Sequence, residues 1–124
     1  MAERYMRYAV NCTANVEKTV FTAPNDGETV VGAADSVIIG FFIAATTASA
    51  GTLTVSLTNY FDASVVKLAD TIPLPADTSV DIMPGKMVLQ HGLNNAGTPA
   101  LTGDIIKVTS TQDCSVILSM IERV

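Results

Sequence analysis

β-branched side chains constrain this chain most: 15 Thr, 14 Val and 9 Ile make up 38 of its 124 residues. Two heavy atoms on Cβ stiffen χ1 and suit a pleated, half-buried surface better than a helix. The clearest case is residues 52–58 (TLTVSLT), where Leu53, Val55 and Leu57 alternate with Thr and Ser. That is the period-two pattern of a strand with one wet face. Cys114, Val116, Leu118 and Met120 repeat it near the end of the chain. No segment sustains a capped 3.6-residue apolar pattern, so any helix is expected to be a single turn.

The remaining segments follow the same rhythm. Residues 5–12 alternate, and residues 18–22 (KTVFT) stop at the turn signal Ala23-Pro24-Asn25-Asp26-Gly27. Extended character resumes over 29–33. Residues 36–45 include the strongest apolar run (VIIGFFIAA), which reads as a buried central strand with Gly40 marking a bulge or a close backbone approach. It is about half the length of a membrane-spanning helix. Strands are expected over 65–71, 80–83, 86–90, 105–110 and 114–122. Pro73 and Pro75 leave an edge strand or a crossing loop, Pro84-Gly85 a tight turn, and 92–103 a long Gly/Asn/Pro-rich loop. The expected fold is all-β: one antiparallel β-sandwich or jelly-roll domain over 1–124, of about eight or nine short strands. Residues 1–12 stand out as an interacting N-terminal strand or arm. The expected core includes Ile39, Phe41, Leu53, Val55, Leu57, Leu89, Val116 and Leu118.

Only 15% of the residues are charged, and a surface so poor in charge suits packing against other subunits. The seven basic residues (Arg4, Arg7, Lys18, Lys67, Lys86, Lys107 and Arg123) are scattered among twelve carboxylates, so no stripe exists to neutralise nucleic-acid phosphates. The opening MAERYMRYAV lacks the apolar core and cleavage site of a secretory signal, which places synthesis in a cytoplasm. Neither nucleic acid nor membrane is an expected partner. Cys12 and Cys114 could meet if the first and last strands pair; two buried reduced thiols is the favoured reading over a disulfide.

Catalytic chemistry finds little to stand on. With His91 as the single histidine, a multi-histidine metal site cannot form within one chain, and no G-x-S-x-G motif supplies His91 with a nucleophile. It reads as a loop-edge residue following a strand. Asp77 with Asp81, and Asp26 with Glu28, lack the further oxygen ligands of a calcium loop and read as turn and solvent-face residues. The glycines occur singly, without phosphate-cradling spacing. No catalytic residue, cofactor or metal is therefore expected. Arg4, Tyr5, Arg7 and Tyr8 form an aromatic and basic N-terminal segment, and Tyr60-Phe61 a second aromatic pair; both suit protein interfaces. The tyrosines equally suit the rim of a core, and both readings stand at this point.

Six segments, KTVFTAP, SVIIGFFIAATT, GTLTVSLTNYFD, TIPLPADTSVDIM, GKMVLQHG and CSVILSMIERV, follow one another from Lys18 onward. In this order they resemble small β-sandwich virion structural proteins of tailed bacteriophages, of the head decoration or cement type. One departure is Leu93 after His91-Gly92, where an acidic turn residue is expected. The resemblance implies a non-enzymatic protein on the outer surface of the capsid that binds the major capsid protein and stabilises the head, as a homotrimer at local threefold positions. A tail, collar or fibre-attachment component is the alternative. A ligand-binding β-sandwich module ranks lower, because a chain without Trp and with 6% aromatic residues offers little for a sugar to stack on. On this reading, deleting residues 2–8 is expected to weaken capsid attachment more than domain stability.

Overall fold

The computed structural model describes residues 3–25, 27–30, 33–82, 85–94 and 102–123. Nine strands occur among them: β1 (Glu3–Cys12), β2 (Lys18–Thr22), β3 (Asp35–Ala45), β4 (Gly51–Thr58), β5 (Val65–Leu74), β6 (Ser79–Asp81), β7 (Met87–Gln90), β8 (Ile105–Ser110) and β9 (Cys114–Arg123). No described residue is helical. The first sheet runs β1-β9-β3-β6, with β7 also pairing β3, and the second runs β2-β8-β4-β5. Because β6 and β7 pair with successive parts of β3, they share one edge position. Every strand pairing is antiparallel. The chain passes repeatedly from one sheet to the other, and its last strand lies between the first and third: a jelly roll.

Side chains facing inward from both sheets make one core. Phe41 and Ile43 of β3, Leu53 and Val55 of β4, Ile106 and Val108 of β8, and Val116, Leu118 and Met120 of β9 are fully buried. Of the expected core, Phe41, Leu53, Val55, Leu89, Val116 and Leu118 are fully buried, and two residues differ. Leu57 is half-buried against it, and Ile39 is 40% exposed. Ile39 is displaced by a bulge: β3 pairs Ile38 with Met120 but Gly40 with Ser119, so Ile39 is the extra residue. Inward positions fall at even numbers before the bulge and at odd numbers after it, as one inserted residue requires.

Residues 29–30 and 33 do not form the expected strand; 31–32 lie outside the described residues, as do Asp26, Met83 and Pro84 and most of the expected 92–103 loop. The N-terminal segment is a full strand, in register with β9 along all ten residues. Its Met6, Tyr8 and Val10 pack on the core, so the segment expected to serve as an interacting arm also contributes to the domain's packing. β5 continues through Pro73 to Leu74 and, as Pro73 requires, lies at the edge of its sheet.

Candidate interaction surface

Pairing with β9 divides the N-terminal candidates between the two faces of the first sheet. Tyr5 and Arg7 alternate with Glu3 on its outer face, and Tyr5 is 74% exposed. Tyr8 turns inward, its ring centroid 4.9 Å from that of Phe21. Burial, then the nearby Glu122 carboxylate, raise its phenol above the ordinary value. Tyr8 thus lines the core rim, while Tyr5 and Arg7 are exposed on the outer face. Arg4, across from Glu122 on β9, forms an exposed 3.0 Å ion pair with it. Salt screens such a pair, leaving the guanidinium accessible.

The outer face of this sheet is unexpectedly apolar. Tyr5, Ile121, Val37 and Val88 make one row across β1, β9, β3 and β7, and Ala9, Ile117 and Phe42 make another. On the second sheet the corresponding face carries Thr52, Thr54, Ser56 and Thr58 beside Lys107 and Thr109. The first sheet's outer face is the more apolar of the two, although Val65, opposite Thr58, is also exposed on the second.

Tyr60 and Phe61 form a second, separate patch in the β4–β5 connection, where their rings meet edge to face at 6.2 Å. The loop is knit by its own backbone, Asn59 N–H donating to Ser64 O at 2.8 Å and Ala63 N–H to Asn59 O at 2.9 Å. Its Asn59 and Asp62 carboxamide and carboxylate accept from Phe61 N–H and Ser64 N–H. The Ser64 hydroxyl and N–H together hold the Asp62 carboxyl pKa below the usual carboxylate value. Phe61 is thereby held 71% exposed on a fixed turn. Beside it opens a cavity of about 470 Å³, bordered by Thr58, Tyr60, Phe61, Thr102, Gly103 and Ile105.

Asp104, absent from the sequence candidates, positions this patch. It is buried, and its two oxygens accept from Tyr60 N–H at 2.8 Å and Gln90 N–H at 2.9 Å. A buried carboxylate needs such donors. Gly103 before it is obligatory for a different reason: a Cβ there would lie 2.5 Å from Ala23 Cβ and 2.6 Å from the carbonyl oxygens of Ala23 and Gln90. The sequence signal was a Gly-Asp pair just ahead of an alternating strand, one residue past the loop boundary. Arg123 and Asp35, also missed, form a bidentate pair between β9 and β3, with Arg123 Nε donating to Asp35 Oδ1 at 2.7 Å.

The catalytic alternatives acquire no geometry. His91 follows β7 as expected but is interior rather than at a loop edge: it is buried, and its Nε2 lies 2.8 Å from Oγ of the fully buried Ser36. Such a pair, sealed from substrate, ties the end of β7 to β3. Leu93, the departure from the resembled pattern, is buried nearby in sequence. Asp77 and Asp81 are exposed. Among the described residues no three His, Cys, Asp or Glu side chains gather as a metal site.

No protein-family model matches the chain, and no curated protein matches it at a significant level. Solved structures do. One is the VP2 protein of infectious bursal disease virus in derived T=1 particles, with a TM-score of 0.56 and 13% identity over 97% of this chain and 31% of that one. Another is the structure of the Gx strain of the same virus, with a TM-score of 0.56 and 16% identity over 97% of this chain and 32% of that one. The chain spans about a third of these relatives in shape, and the likeness is one of fold.

Proposed function

We propose that this chain is a non-enzymatic virion structural protein of a tailed bacteriophage, a decoration or cement protein that binds the major capsid protein on the outside of the head and stabilises it. The observation that carries the reading is the jelly-roll order of the strands, shared along 97% of the chain with a protein of virus-derived particles. The sequence resemblance from Lys18 onward supplies the tailed-phage assignment, and the exposed Tyr5, Arg7 and Phe61 supply contact points. A rigid sandwich that presents aromatic residues on a strand and on a knit turn loses little conformational entropy on docking. The resemblance implies a trimer, in which several weak contacts act together by avidity.

The test is co-sedimentation of the full chain with heads assembled without it, followed by heating of the particles. Saturable binding at a fixed ratio to the major capsid protein, with a higher rupture temperature, is the expected result. Absence of binding to heads would overturn the decoration reading, and binding to purified tails instead would establish the tail-component alternative.

A further inference from the structure

Strands at the margins of a sheet offer unpaired backbone groups to other chains, and proteins blunt such edges by shortening, bulging or inserting proline. Three of the four margins here are blunted. One is divided between β6, three residues long, and β7, four residues long. Another is the five-residue β2, whose register with β8 shifts between Thr19 and Phe21. The third, β5, has two register shifts, Pro73, and Thr71 at φ 54°, a conformation that a β-branched residue strongly resists. The fourth margin, β1, carries none of these devices. Its ten residues run without proline and in unbroken register with β9, and they pair with no other described strand.

We propose that β1 pairs antiparallel with β1 of a second copy about a twofold axis at Tyr5, joining two first sheets into one continuous sheet. Charges are a further edge-blunting device, but those on β1 are placed to complement themselves. Residue numbers facing each other in such a pair sum to a constant, which is even because alternate residues aim their backbone groups at the same flank. An axis at Arg4 or at Arg7 sets like charges face to face, which is destabilising. Axes at Met6, Tyr8, Ala9 or Val10 bring no opposite charges together. The axis at Tyr5 sets Glu3 against Arg7 twice by symmetry, with Tyr5 against Tyr5 between them. All three side chains are exposed on the outer face, free to meet without disturbing the core. The row Tyr5, Ile121, Val37 and Val88 would then continue across the axis as one apolar band.

This contact does not rest on the virion reading, since it uses only the chain's own edge. Sedimentation equilibrium on the full chain measures it, with Glu3→Arg and Arg7→Glu as single variants. Each variant places like charges opposite one another in both symmetric pairs, so each is expected to weaken dimerisation about tenfold. An equimolar mixture of the two variants sets the introduced Arg against the introduced Glu and the native Arg7 against the native Glu3. The mixture is therefore expected to regain dimer at close to the native affinity. Recovery on mixing supports the Tyr5 axis. A native chain that stays monomeric at 13.0 kDa through millimolar concentration overturns the proposal. So does a dimer that ignores both substitutions, or two weakened variants that fail to recover on mixing while their circular dichroism remains native.

Discussion

Cys12 and Cys114 face each other directly across β1 and β9, at the end of the register that ties the first strand to the last, and both are buried with free thiols. Burial raises both thiols above the ordinary value, and the nearby Cys12 sulfur adds to the effect at Cys114, which reaches about 11. A thiolate forms more readily in the unfolded chain than in the folded one. The contribution to stability is therefore complete below about pH 9 and is lost as pH rises towards 11. Thermal melts between pH 7 and 11 are expected to show a falling midpoint over that upper window, and Cys114→Ala should flatten the fall. A thiol reagent at pH 7 should label neither cysteine in the native protein and both in denaturant.

The bulge in β3 predicts opposite outcomes for two apolar residues that sequence treats alike. Val55 is fully buried, between Ala69 of β5 and Val108 of β8, so Val55→Asp buries an unpaired charge and should abolish folding. Ile39 lies on the outer surface at the bulge, and Ile39→Ser is expected to change stability by no more than about 0.5 kcal/mol. Chemical denaturation of the two variants checks both.

That contrast marks where the sequence was legible. Alternation gave the bounds of β4 and β9 to within one residue, because each is a regular strand with one wet face, and the expected strand over 105–110 coincides with β8. Gly40 is recognisable as a bulge signal, but spacing of two alone places Ile39 on the face of Phe41, and only the bulge's change of phase puts it on the other. Asp104 escaped because its partners, Tyr60 and Gln90, are distant in sequence and use only their backbone N–H groups, which carry no side-chain signature. Tyr5 and Tyr8 could not be told apart until the register with β9 assigned one to each face.

Removing the Asp104 carboxylate should loosen the Tyr60-Phe61 turn. Asp104→Ala leaves two amide donors without their acceptor, at a cost of about 1–3 kcal/mol for each that stays dry. Asp104→Asn retains one acceptor oxygen and should lose less. Amide hydrogen exchange is expected to quicken at Tyr60 and Gln90 in both variants, and most in Asp104→Ala. Unchanged protection at those two amides would show that the turn is held by its own hydrogen bonds alone.

Phe61 offers the cleanest separation of contact from stability. Its side chain is exposed and its nearest aromatic neighbour is Tyr60 on the same turn, so Phe61→Ala removes little that the fold uses. The melting temperature should therefore stay within a degree or two of the native value. If the turn docks on the capsid, the same substitution removes an aromatic anchor, and such anchors commonly contribute 2 kcal/mol or more, about thirtyfold in affinity. Head binding in the co-sedimentation assay should fall accordingly, while Thr54→Ala on the polar outer face of the second sheet should leave it unchanged. Equal binding by Phe61→Ala and the native chain would exclude this turn and transfer the docking role to Tyr5, Arg7 and the apolar rows beside them.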